Sequence, residues 1–135
     1  MTDRRREGPK FSMATYSFAT QTFPAAASDA LAPTLANING TIVAMKIDIS
    51  ETEDNITYTV AITDANAASW FSEASLADKT VHWRDARSDK NPRDADFNPI
   101  PVATTLTCTI TPSAAPDAAP VGTKTATVAV TIYLE

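Results

Sequence analysis

Four stretches of this chain alternate apolar and polar residues with a period of two, and that pattern constrains the fold more than any other. In "TKTATVAVTIYLE", Ala126, Val128, Val130, Ile132 and Leu134 fall on one side, and Thr125, Thr127, Thr131 and Tyr133 on the other with Ala129. "NITYTVAIT" repeats the scheme, with Ile56, Tyr58, Val60 and Ile62 against Thr57, Thr59 and Thr63. "TTLTCTIT" does so again, and "TIVAMKIDIS" sets Val43, Met45, Ile47 and Ile49 against Lys46 and Asp48. Successive side chains of a strand point to opposite faces, so each stretch reads as a strand with one dry face. Threonine on the wet side and branched aliphatics on the dry side are the composition of half-buried antiparallel sheet.

The punctuation fits the same reading. Asn39-Gly40 is a turn signal ahead of a strand over 41–50, and the acidic link "SETEDN" is expected to close a hairpin between that strand and the next. "TPSAAPDAAPVG", residues 111–122, carries too much proline for a helix and leads into the last strand. "TYSFATQTF" is a weaker strand, "PAAASDALAPTLANI" an irregular arm with at most a helical turn, and residues 64–80 the one candidate helix. The expected fold is all-β, an antiparallel β-sandwich of six to eight strands, jelly-roll or immunoglobulin-like, with an extended N-terminal arm. Residues 1–40 are expected to form the arm and first strand, and residues 41–135 the sandwich core. Residues 1–12 show no alternation, and Met13 opens "MATYSFATQTF", so translation is expected to start at Met13 in the native product.

A chain of 135 residues can bury a sizeable core without disulfide staples. Its single cysteine, Cys108, is in phase with Leu106 and Ile110 and reads as a small core residue. The net charge of −5 is wrong for general nucleic-acid binding, which needs a basic face. That charge is uneven: residues 1–10 carry four bases and two acids, leaving −7 for the remainder. No run approaches the roughly 18 apolar residues of a membrane span, and the basic start lacks the apolar stretch of a secretory signal. The sequons at Asn39 and Asn55 are accordingly read as coincidence.

The densest run of charge, "VHWRDARSDKNPRDADF" (residues 81–97), holds four aspartates, three arginines and the only histidine. His82 has no nucleophile turn to serve, so a rim histidine is the expected role. One histidine and one core cysteine fall short of a transition-metal set. Asp89, Asn91, Asp94 and Asp96 offer hard oxygen ligands for calcium, but the loop spacing and turn glycine of a calcium loop are missing and Lys90 and Arg93 intrude. No catalytic, metal or cofactor site is therefore expected. The aromatics Trp70, Phe71 and Trp83 read either as core or as interface anchors, and Arg84, Arg87 and Arg93 as a solvated loop or as readers of carboxylates on another chain. With the basic arm residues Arg4, Arg5 and Arg6, these form the candidate interface set.

Taken in order, the segments resemble the small β-sandwich decoration (cement) proteins of tailed-bacteriophage capsids. The resemblance runs over residues 15–135 through a polar, alanine-rich arm, "NGTIVAMKIDI", "ITYTVAITDA", "WFSEASLADKTVHWRDAR", "IPVATTLTCTIT" and "KTATVAVTIYLE". It implies a non-enzymatic structural protein, made in the host cytoplasm and carried on the virion exterior. Its partners would be the major capsid protein and other copies of itself, as dimer or trimer, with no nucleic acid, membrane or cofactor. Two other classes remain beside it: a carbohydrate-type ligand-binding sandwich, marked by Trp70 or Trp83 exposed on a flat face, and a tail or neck subunit of a virion.

Overall fold

A computed structural model of the chain describes residues 14–85, 100–118 and 122–135. Eight strands follow in chain order: β1 (Ala14–Ser17), β2 (Gln21–Phe23), β3 (Thr34–Ile49), β4 (Thr57–Thr63), β5 (Ser69–Ala77), β6 (Thr80–Asp85), β7 (Ile100–Pro112) and β8 (Ala126–Leu134). Every pairing between them is antiparallel. The chain is all-β, as the alternation predicts. No helix among the described residues is long and apolar enough to cross a membrane.

The long strand β3 organises everything else. Its first part, Thr34–Ile42, pairs with β7, while its second part pairs with β8 on one edge and β6 on the other. Ile42 is matched to Ile100 of β7 and to Leu134 of β8, so those two strands flank it from opposite sides. One half of the sheet is then β1 and β2 beside β8, followed by β3 and β6. The other half runs from β3 through β7 and β4 to β5. Strands that serve two sheets turn the corner through bulges and bends, and β3 has them. Ala36 and Asn37 stand opposite a single β7 residue, with Asn37 in the left-handed region at φ 58°. Val43 is an extra residue against β8. Between them Gly40 has φ 143°, and a Cβ there would lie 3.2 Å from Leu134 Cδ2 and 3.3 Å from the Glu135 carbonyl oxygen. Asn39-Gly40 is thus a bend within a strand and not the turn that precedes one.

The two halves close on one apolar cluster. Met45, Ile47, Ile49, Val128, Val130, Ile132 and Leu134 come from the first half, and Tyr58, Val60, Ile62, Leu106, Cys108 and Ile110 from the second. Phe23 of the first half meets Tyr58 of the second with ring centroids 5.3 Å apart and planes tilted by 60°, a favoured aromatic geometry. β1 and β2 continue the sheet beyond β8; Phe23 enters the core from β2, and Phe18 from just after β1.

Two further expectations change. The link 50–56 does not close a hairpin, because β7 lies between β3 and β4; the link passes from one half-sheet to the other. Thr52 pins it there: its amide and hydroxyl both donate to Asp78 Oδ2, at 2.7 and 2.6 Å, and its Oγ1 accepts from the Ile56 amide. Residues 64–80 form no helix. They give a turn and then β5, whose residues pair with β4. Trp70 is an extra residue between the pairs Ile62–Phe71 and Thr63–Ser69, and Ala74 and Ser75 together oppose Thr59. Two bulges erase the period of two, and a segment rich in alanine, serine, glutamate and leucine then looks helical. Cross-strand pairing with β4 overrides that propensity.

Two buried groups yield predictions. The Tyr58 hydroxyl is buried without a hydrogen-bond partner among the described residues, and desolvation, with Asp78 adding to it, pushes its pKa up to about 12. Removing an unpaired buried hydroxyl is close to neutral or stabilising. Tyr58→Phe is expected to leave unfolding free energy at neutral pH within about 1 kcal/mol of the parent, or above it, as read by urea titration. Burial raises Cys108 from its ordinary 9.0 to about 12, so the folded state holds this proton more tightly than the unfolded chain does. That contribution is complete below pH 9.0 and is lost as pH climbs towards 12. Cys108→Ala is therefore expected to flatten the alkaline fall in stability, and native Cys108 is expected to react with a thiol reagent only once denaturant is added.

Candidate functional site

The register fixes which side chains share the outer face of the first half-sheet. Met45, Ile47 and Ile49 point into the core, so Lys46 and Asp48 between them point out. Lys46 is matched to Thr131 on β8 and to Trp83 on β6; Asp48 is matched to Ala129 and to Val81. These residues, with Tyr133 one step further along β8, form a patch across three adjacent strands. Trp83 is 50% exposed and Val81 44%. The Trp83 ring stacks against Tyr133 with centroids 6.1 Å apart and planes 27° apart, and Lys46 Nζ lies 5.7 Å from the indole centroid. The ammonium and the phenol hold the indole against the sheet while leaving half of it to solvent. Such a pre-set aromatic loses little freedom on being covered, which is what an interface anchor needs.

Trp70 is 43% exposed but belongs to the other half-sheet, on β5. The bulge turns it towards the β4–β5 loop, where its indole N–H donates to Asp64 Oδ2 at 3.0 Å. Asp64 Oδ1 accepts from the Asn66 and Ala68 amides as well. These bonds, the Trp70 indole first, hold the Asp64 carboxyl below its ordinary 3.8. The two tryptophans thus stand on different half-sheets, each with its own partners, and do not make one site.

The remaining members of the candidate set divide. Phe71 packs against the core cluster. The Arg84 guanidinium forks onto Glu73: Nε donates to Oε1 at 2.8 Å and Nη2 to Oε2, while Nη1 donates to the Trp83 carbonyl. With only 13% of its side chain exposed, Arg84 ties the β6 edge of one half-sheet to the β5 edge of the other. It serves the fold and positions Trp83. Arg4, Arg5, Arg6, Arg87 and Arg93 lie outside the described residues, as do the calcium candidates Asp89, Asn91, Asp94 and Asp96. Among the described residues no group of three or more His, Cys, Asp and Glu stands close enough to hold a metal ion. His82 faces inward opposite Ile47, and its Nε2–H donates to the Ala77 carbonyl at 2.9 Å.

Sequence reasoning found Trp83 and missed Lys46, Val81 and Tyr133. Lys46 and Tyr133 were visible as wet-face positions, but only the β3–β6 and β3–β8 pairings show that they surround the indole. For Trp70, the geometry makes an acid-range prediction. The order that the Asp64 carboxylate gives the loop is present above 3.8 and is lost as pH falls through its lowered folded value. By carbon-detected NMR titration, the Asp64 midpoint is expected below 3.8, and Trp70→Phe is expected to move it upward.

No family model matches the chain, and no curated protein matches it. Among solved structures it is similar to the infectious bursal disease virus Gx strain, at 8% identity and TM-score 0.43 over 91% of this chain. It is similar also to the T13 viral particle of that virus, at 8% identity and TM-score 0.45 over 91%. The VP2 subviral particle of infectious bursal disease virus gives 8% identity and TM-score 0.47 over 93%. The chain spans about a third of the length of these structures, covering 32%, 31% and 33% of them respectively. These neighbours are viral capsid structures, and at this distance no function is transferred from them.

Proposed function

We propose that this protein is a non-enzymatic structural component of a virion, binding the outside of a phage capsid and bridging its subunits. The observation that carries the reading is the half-exposed, pre-positioned Trp83 on the outer face of the first half-sheet, beside Tyr133, Val81 and Lys46. An aromatic anchor on an exposed sheet face, with apolar and charged neighbours, suits a broad protein surface better than a small substrate, which calls for a concave site. The resemblance of the segment order to phage decoration proteins supplies the class of partner, a major capsid protein. The two residues with the most reactive side chains are committed to the fold: His82 to the Ala77 carbonyl, and Cys108 to the core.

A second reading, a carbohydrate-binding sandwich, is favoured by the exposure of both Trp70 and Trp83. It ranks second because Lys46 leans over the Trp83 ring and Asp64 occupies the Trp70 indole N–H.

The deciding measurement is quantitative mass spectrometry on purified particles, scored as copies per major capsid protein. Copies in the hundreds, released by mild denaturant before the shell breaks, are the expected result. A few copies per particle would move the protein to the tail or neck, and absence from particles would end the virion reading. In a rebinding assay to stripped shells, Trp83→Ala is expected to weaken binding by about tenfold or more, while glycan titrations with the same variant test the second reading.

A further inference from the structure

We infer that the outer face of the first half-sheet is a two-fold self-association surface, in which Lys46 of each copy meets Asp48 of the other. Strand register supplies the match. Lys46, Thr131 and Trp83 form one row across β3, β8 and β6, and Asp48, Ala129 and Val81 form the next. Ile47, Val130 and His82 lie on the line between the rows and face inward. Consider a two-fold axis along that line, in the plane between two facing sheets. Each row of one copy then falls on the other row of its mate. Lys46 lies over Asp48, Trp83 over Val81, and Thr131 over Ala129. One operation therefore pairs opposite charges twice, while the Trp83 indole leans across β3 towards Tyr133.

That match selects one axis on this face. An axis parallel to the strands along β3 would set Lys46 against Lys46 and Asp48 against Asp48. Asp48 is exposed and has no ion-pair partner among the described residues, so its charge is available. Isologous contacts require such self-complementarity, with residue i meeting j and j meeting i. Two sheets face to face also settle within about 30° of alignment. Four strands ~4.8 Å apart and about six residues long give a footprint of roughly 400 Å² per copy. The two copies together bury about 800 Å², below the range of stable specific interfaces, so the dimer is weak, reversible and sensitive to salt.

The test is sedimentation velocity of the full chain from low micromolar to near-millimolar concentration. It compares the parent, Lys46→Asp, Asp48→Lys, and an equal mixture of the two variants. Both substitutions are on the solvent face, and circular dichroism checks that each variant keeps the fold. The parent is expected to shift reversibly from monomer to dimer. Each reversal places like charges face to face twice and is expected to weaken the dimer by about tenfold or more. In the mixture, an acidic copy meets a basic one, and dimer is expected to return to at least the parental level. A parent that stays monomeric throughout, a reversal that leaves the dimer unchanged, or a mixture that remains monomeric would each overturn the inference. The dimer covers the same Trp83 face that the proposed function gives to the shell, so the two occupants compete and the free dimer parts on docking. No shell is present in this experiment, and its outcome is separate from that of particle binding.

Discussion

Both halves of this fold depend on the main-chain hydrogen bonds that a single strand makes in two different sheets. β3 lends Thr34–Ile42 to β7 and Ala44–Ile49 to β8 and β6, and the bulges at Ala36–Asn37 and Val43, with Gly40 between them, let one strand serve both. The inner faces then meet without a separate linker having to bring them together. Closure at the opposite side is polar: Arg84 grips Glu73 across the β5–β6 corner, and Asp78 takes the amide and hydroxyl of Thr52. An apolar cluster between two layers is common to sandwiches; sharing a strand is what makes these layers one cooperative unit.

How much of this could be read from the sequence follows from what each element depends on. β4, β7 and β8 alternate cleanly, because straight strands with one buried face leave their period in the residues. β5 left a misleading trace, since the extra residues at Trp70 and at Ala74–Ser75 break the alternation that would have marked it. Asn39-Gly40 marks a place where the chain needs unusual backbone freedom, but a turn and an in-strand bend ask for the same dipeptide. The partnership of 50–56 is a matter of sheet order, which local pattern does not encode. The strand β7 between β3 and β4 comes from fifty residues later in the chain.

The candidate face was legible residue by residue and not as an arrangement. Trp83 and Arg84 are neighbours in sequence and looked like joint members of an interface, yet strand alternation sends them to opposite faces. One remains half in solvent, and the other is folded onto Glu73. The useful division is between what a side chain offers and what it has already spent within its own chain. By that standard Trp83, Val81 and Asp48 are on offer, and Phe71, Arg84, His82 and Cys108 are committed.

The pairing of β1 with β8 has a mechanical consequence. Ala14 sits beside Leu134, and the ladder between the two strands runs back from there to Ser17 opposite Thr131. Tension drawn outward on the chain ahead of Ala14, against the end of β8, would load these rungs one after another, like a zipper, instead of all at once. Glu135 is tied to Thr41 by reciprocal main-chain bonds, so β8 resists while β1 yields. The four-residue strand is thus a tear strip. It gives way at low force, pays out chain, and shields the shared strand behind it from the pull.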